Sequence, residues 1–332
     1  MAVTGIAGCG SDSDSGSTSG GSGDGDGKAL LNAMTVTPNG AALKSGTFGV
    51  TVTGSVDDAA GKDVRKLDGT AAVTVSAEQL DTAKGMPPLQ VTFDVDGDYT
   101  SGSGKSGTAK YAGGFRYVSD QLYVTWKDTD YAFGKELSKQ FLAGFSQGFA
   151  NEAGDTKSLQ QIAADPKKLM STLALEPGSW LESSKVSDGP ELDGAQTVAV
   201  TGPVDLKAAA TDLRDGLKAL PAAFPSVPGI KQLKELGELK DADIKEAEET
   251  LTTREATVYI GKDDHLLRRA KLHLAGKDTG KKGTAIDLTI QLDSTKVNQA
   301  QSITAPKSAS PVTDLFAQLE KDFPGFGSLL GG

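Results

Sequence analysis

Apolar and polar residues alternate strictly over several stretches of the chain. Phe48, Val50 and Val52 alternate with Gly49, Thr51 and Thr53, and Val73 and Val75 with Thr74 and Ser76. Val91, Phe93 and Val95 alternate with Thr92, Asp94 and Asp96; Phe115/Tyr117, then Leu122, Val124 and Trp126, then Tyr131/Phe133 continue the pattern. It returns near the other end in Ala256, Val258 and Ile260, in Ala270, Leu272 and Leu274, and in Ile286, Leu288, Ile290 and Leu292. A period of two places all the apolar side chains of a strand on one face. These stretches therefore predict an antiparallel sheet that is wet on one side. Asp96-Gly97-Asp98 and Gly113-Gly114 predict turns or bends, and Asp263-Asp264 a turn.

The middle of the chain follows a helical period instead. Leu137, Phe141, Phe145 and Phe149 recur every four residues and form one aromatic-rich stripe. A second helical stretch covers 158–175, with Leu159, Ile162, Leu169 and Leu173. A third begins near Asp205, carries Leu206, Ala209, Leu213, Leu217 and Leu220, and is expected to stop at Pro221. A strand over 197–201 separates the second from the third. Beyond Pro228 a charged helical segment is expected from Ile230 to Leu251, and an amphipathic helix from Pro311 to Phe323. Strands, then helices, then strands predict an α+β fold rather than a wound parallel sheet. The last strands need an apolar face to cover, which favours one domain over 28–332. A split would need a linker, for which Ser187-Asp188-Gly189-Pro190 is the candidate.

Composition removes several classes of function. Lys and Arg total 34 against 44 Asp and Glu, a formal net charge of −10 over 332 residues. Nonspecific nucleic-acid binding needs clustered cations, and none occur, so no nucleic-acid partner is expected. No run of about 18 apolar residues is present to span a bilayer as a helix. One cysteine and two histidines leave no disulfide framework and no Cys-based zinc site, and nothing calls for a cofactor.

That one cysteine has a distinctive setting. Ile6-Ala7-Gly8-Cys9 resembles a bacterial lipobox, in which small residues precede a thiol that is alkylated by diacylglycerol and becomes the mature N-terminus. Residues 10–27 are only Gly, Ser, Asp and Thr, which bury nothing and are expected to form a flexible tether. Eighteen such residues span roughly 20–25 Å root-mean-square. Met1 to Gly8 lack the basic start and apolar stretch of a secretion signal, so 1–9 are taken as a truncated signal and lipobox. Two acyl chains on Cys9, at about 0.8 kcal/mol per buried CH₂, would anchor the chain durably to a membrane.

A wider resemblance rests on the lipobox and tether, on Thr47-Phe-Gly-Val-Thr-Val-Thr-Gly54, and on Val200-Thr-Gly-Pro-Val-Asp205 entering a helix. Ala256-Thr-Val-Tyr-Ile-Gly-Lys-Asp-Asp-His-Leu-Leu-Arg-Arg-Ala270 and Ile303-Thr-Ala-Pro306 extend it. Over about residues 28–310 the chain resembles the LolA-like carriers, in particular the actinobacterial LprG/LppX-type lipoproteins. That resemblance implies an unclosed antiparallel half-barrel with helices packed on its concave face around an apolar cavity. It also implies binding of lipid or lipoglycan acyl chains at the extracytoplasmic face of the cell membrane, for transport or presentation, by a lipid-anchored monomer. It carries over no catalytic residue; only Cys9 maps one to one.

The physical expectation runs the same way. Strand side chains Phe48, Val50, Val52, Val73, Val75, Val91 and Phe93 would line such a cavity with Leu122, Val124 and Trp126. Val258, Ile260, Leu272, Leu274, Leu288 and Ile290 would add the wall from the later strands, under a lid bearing Phe141, Phe145 and Phe149. A dry apolar cavity accepts hydrocarbon because no hydrogen bond is lost on entry. The alternative is that the same residues interlock as the solid core of a structural or protein-interaction lipoprotein.

Three motifs point elsewhere and fail on context. Gly144-Phe-Ser-Gln-Gly148 matches a nucleophile elbow around Ser146, with His265 and His273 downstream, but Ser146 lies in a helical stripe rather than at a strand-to-helix turn. A serine esterase is therefore the weaker alternative. Gly102-Ser-Gly-Lys-Ser-Gly107 lacks the first glycine of a phosphate loop, where Tyr99 stands, and is expected to be a hairpin loop. Asp94, Asp96 and Asp98 space like calcium ligands, yet Tyr99 and Lys105 occupy the positions that need Gly and Glu.

Overall fold

The computed structural model describes residues 24–37, 41–58, 64–79, 86–140, 176–223, 240–277 and 284–322. The fold is α+β. The first half supplies β1 (Gly46–Asp57), β2 (Val64–Ala77), β3 (Leu89–Ser101), β4 (Ser106–Val118), β5 (Gln121–Trp126) and β6 (Thr129–Ala132). The second supplies β7 (Lys185–Asp188), β8 (Thr197–Pro203), β9 (Leu251–Gly261), β10 (Leu267–Lys277), β11 (Ala285–Thr295) and the two-residue β12 (Ser310–Pro311). They form one curved, unclosed sheet in the order β12-β6-β5-β4-β3-β2-β1-β11-β10-β9-β8-β7. Every pairing is antiparallel except that of β12 with β6.

The two meanders meet edge to edge. Val50 of β1 stands opposite Leu292 of β11 on one side and Val73 of β2 on the other. Alternation therefore stays in phase from one half of the sheet to the other, because a one-residue slip would send every apolar side chain to the wrong face.

Among the described residues the helices are α1 (Asp24–Ala33), α2 (Leu206–Ala223), α3 (Asp241–Thr250) and α4 (Val312–Asp322), with a 3-10 turn at Pro177–Trp180. Residues 134–140 are also helical. Several boundaries differ from the sequence expectation. The expected tether ran to residue 27, but the described residues are helical from Asp24, and Gly27 packs closely against Ser184 and Val200. Pro221 does not end α2, which runs on to Ala223. The charged segment is helical only from Asp241 among its described residues, and Leu251 opens β9. Asp96-Gly97-Asp98 and Gly113-Gly114 lie inside β3 and β4 and are not turns between strands. Ser187 and Asp188, part of the candidate linker, belong to β7 and pair with β8.

Gly97 belongs to a line of glycines that crosses three strands. Gly54 is opposite Gly69, and Gly69 opposite Gly97. Gly54 has φ +143°, which side chains rarely adopt, and a Cβ there would overlap the Asp287 carbonyl. Cβ atoms on Gly69 and Gly97 would meet the backbone of each other's strand. Such an approach is open only to glycine, and it concentrates the bend of the sheet along one line.

Candidate functional site

Cross-strand register carries one apolar row across almost the whole sheet. Trp126, Gly113, Phe93, Val73 and Val50 are successive partners, and Leu292, Ala270, Val258, Val200 and Val186 continue from Val50. A second row runs Tyr111, Val95, Ala71, Val52, Ile290, Leu272 and Ala256. A third joins Val124, Phe115, Val91, Val75 and Phe48. Leu274 and Leu288 pair in the row that ends on Gly54. The sequence-predicted strand residues thus share one face of one sheet.

Both ends of that face are covered. At the β7–β10 end, Leu31 of α1 and Leu181 pack with Val200, Val204 and Ile260, and Leu206 and Ala209 of α2 join them beside Val258 and Leu272. Val200 and Ile260 retain 0% and 1% exposure, so at this end the row is core. At the other end, Val312 and Leu315 of α4 pack on Tyr131, beside Val124, Trp126 and Leu319. Leu122 is buried too, and its N–H donates to Ser138 Oγ at 2.8 Å in the 134–140 helix. Trp126 is locked by α4: its Nε1–H donates to Asp322 at 3.0 Å, and Lys127 reaches the same carboxylate at 2.8 Å. Hydrogen bonds from Lys127, Trp126 and Gln318 hold the Asp322 carboxyl down at about 2.

The centre is different. Val50, Val73 and Leu292 are adjacent on three neighbouring strands yet keep 41%, 45% and 45% of their surface exposed. Leu67, Tyr99 and Tyr111 are exposed on the same face. A contiguous apolar patch on that scale marks a place where something else binds. Between the helix-bearing strands β5 and β10 lie six inter-strand steps, roughly 30 Å at about 4.8 Å each. The result is a broad oily floor with a helical wall at either side.

The opposite face is hydrophilic. Thr47 and Ser76 hydroxyls meet at 3.0 Å, as do those of Thr53 and Thr70; Lys110 pairs with Asp96 at 2.8 Å and Arg269 with Asp293 at 2.6 Å. His273 lies here against Asp287 at 3.0 Å, and Thr108 donates to Asp98 at 2.7 Å. A hollow of about 470 Å³ at the tips of β2–β4 is lined by Lys66, Asp68, Asp98 and Thr108 together with Tyr99 of the apolar face. No group of three or more potential metal ligands occurs among the described residues, and Gly102–Gly107 joins β3 to β4 in a hairpin. Cys9, Phe141, Phe145, Phe149 and Ser146 lie outside the described residues. Leu67, Ala71, Val95, Tyr99 and Tyr111 were missed as floor residues; they share the parity of their neighbours, which was the available signal.

No family model and no curated protein matches the chain. Among solved structures, LprF from Mycobacterium bovis aligns with 87% of this chain and 100% of its own, at 14% identity and a TM-score of 0.32. A lipovitellin structure, described by its lipid–protein interactions, aligns with 82% of this chain and 27% of its own at 10% identity and a TM-score of 0.25. A β-barrel-like protein of a domain of unknown function from Brucella abortus aligns with 76% and 99%, at 9% identity and a TM-score of 0.14. Likenesses this distant say nothing of ligand or activity, and the fold stands on its own strand pairing.

Proposed function

We propose that the chain is a lipid-anchored, extracytoplasmic lipoprotein that binds acyl chains of a lipid or lipoglycan on the apolar face of its sheet, to move or present them at the cell envelope. The observation that carries this is the exposed centre of a face whose two ends are packed core. Hydrocarbon laid on that floor removes apolar surface from water on both partners, at about 25 cal/mol per Å². Binding then needs no catalytic group, and the proposal is a carrier rather than an enzyme. A solid-core lipoprotein would leave no reason for Val50, Val73 and Leu292 to stay uncovered side by side. The test is extraction: the chain from residue 24 onward, purified from its producing cells and extracted with organic solvent, is expected to release acyl lipid detectable by mass spectrometry. Empty protein that also fails to take up fluorescent acyl probes would defeat the proposal.

Anchoring is proposed to run through Cys9 and the Gly/Ser/Asp stretch that leads to α1. Cys9→Ala is expected to move the protein from the membrane pellet to the soluble fraction, because no other covalent lipid attachment point of this kind exists in a chain with one cysteine. Unchanged pelleting of the variant would refute the anchor and leave the acyl-binding face unaffected.

A further inference from the structure

Arg254 interrupts the described part of the apolar face, and it is held differently from Arg268, which the bulge in β10 sets beside Gly261 on the opposite face. Arg268, at the bulge in β10, is 6% exposed and gripped by Asp264 at 2.6 Å and Asp193 at 3.6 Å. That arginine is occupied by two carboxylates. Among the described residues Arg254 of β9 has one ionic contact, 3.3 Å from Nη2 to Glu182, and the Glu182 side chain is 49% exposed. A single long contact to a solvated carboxylate is worth little and is readily exchanged. The Arg254 side chain itself keeps 24% of its surface in water.

Arg254 also heads a particular row. Its cross-strand partner is Leu274, followed by Leu288, Gly54, Gly69, Gly97 and Ala109. The three glycines place no side chain on the face, whereas the flanking rows carry Val52, Ala71 and Val95 on one side and Val56, Leu67 and Tyr99 on the other. Those flanking rows are four residues apart along each strand, about 13 Å at 3.3 Å per residue. A cation that leads over two leucines of its row to a side-chain-free trough is the complement of an amphiphile with a negative head.

We propose that Arg254 is the head-group subsite of this face. An anionic head, carboxylate or phosphate, takes the guanidinium in place of Glu182, and its acyl chain lies over Leu274 and Leu288 into the glycine trough. This rests on the proposal that the face binds lipid, and it adds that the ligand carries negative charge. Guanidinium pairs planar oxyanions through two parallel hydrogen bonds, a geometry that Glu182 with its single contact does not use.

Titration with cis-parinaric acid and with its methyl ester separates the two claims. At pH 8 the folded protein is expected to bind the acid about tenfold more tightly than the ester, the worth of one charge-assisted hydrogen bond. Arg254→Gln is expected to bring the acid down to the ester while leaving the ester unchanged, and Glu182→Gln to strengthen the acid alone by removing its competitor. Equal binding of acid and ester by the parent protein, or a ratio that Arg254→Gln does not move, overturns the subsite while upholding an acyl-binding face. Failure of both probes overturns the face itself. If Arg254→Gln does not fold, Glu182→Gln decides: a rise for the acid alone supports the subsite, and no rise overturns it.

Discussion

Replacing Val50, Val73 or Leu292 singly by aspartate is expected to weaken acyl-probe binding at least about 100-fold while leaving the protein folded. The three side chains are neighbours in one row, and each keeps more than two-fifths of its surface in water. A carboxylate at such a position remains solvated in the free protein, so the folded state loses only strand propensity, about 1 kcal/mol or less. Once hydrocarbon covers the site that charge is stripped of water, at an effective penalty of several kcal/mol, and binding bears the whole cost. Val200→Asp gives the contrast, since Val200 is fully buried among Leu31, Leu181, Val204 and Ile260 and its replacement is expected to unfold the domain. Probe titrations with thermal melts of the same variants check both halves. Melts that collapse for Val50→Asp as they do for Val200→Asp would mean that the floor is ordinary core, and binding that survives would mean that acyl chains sit elsewhere.

The floor was legible where side chains alternate without interruption. Phe48, Val50 and Val52 carry the signal in five residues, and the register shows that the same phase holds over a strand of twelve. It faded where glycines entered: Gly54, Gly69 and Gly97 break the alternation of β1, β2 and β3, so the outer parts of those strands, with Leu67 and Tyr99, went unread. Arg254 shares the parity of Ala256 two residues later, but a charged side chain does not extend an apolar alternation and so carries no signal of the floor. Helix α1 was hidden by composition. Asp24-Gly25-Asp26-Gly27 belongs by content to the tether, yet it is helical, and Leu31 of the same helix packs in the core. The joining of β1 to β11 had no local signal, since partners about 240 residues apart are found only by matching whole faces.

The glycine line should show itself as a loss of stability far larger than its lack of side chains suggests. Gly54→Ala is expected to destabilise the fold by about 4 kcal/mol, the sum of a disfavoured φ and of overpacking against a neighbouring backbone, each about 1–3 kcal/mol. Backbone carbonyls cannot swing aside as a long side chain can, so the Asp287 carbonyl must shift and carry β11 with it. Gly97→Ala, which meets the backbone of β2 without needing a positive φ, is expected to cost about 2 kcal/mol through overpacking alone. Gly104→Ala is the control: φ is +82° in the β3–β4 loop, but nothing lies within 4 Å of the added carbon, so about 1 kcal/mol is expected. Urea unfolding of the three variants ranks them. Equal losses at Gly54 and Gly104 would mean that backbone conformation alone matters there, and that the three strands do not depend on close approach for the curvature that shapes the floor.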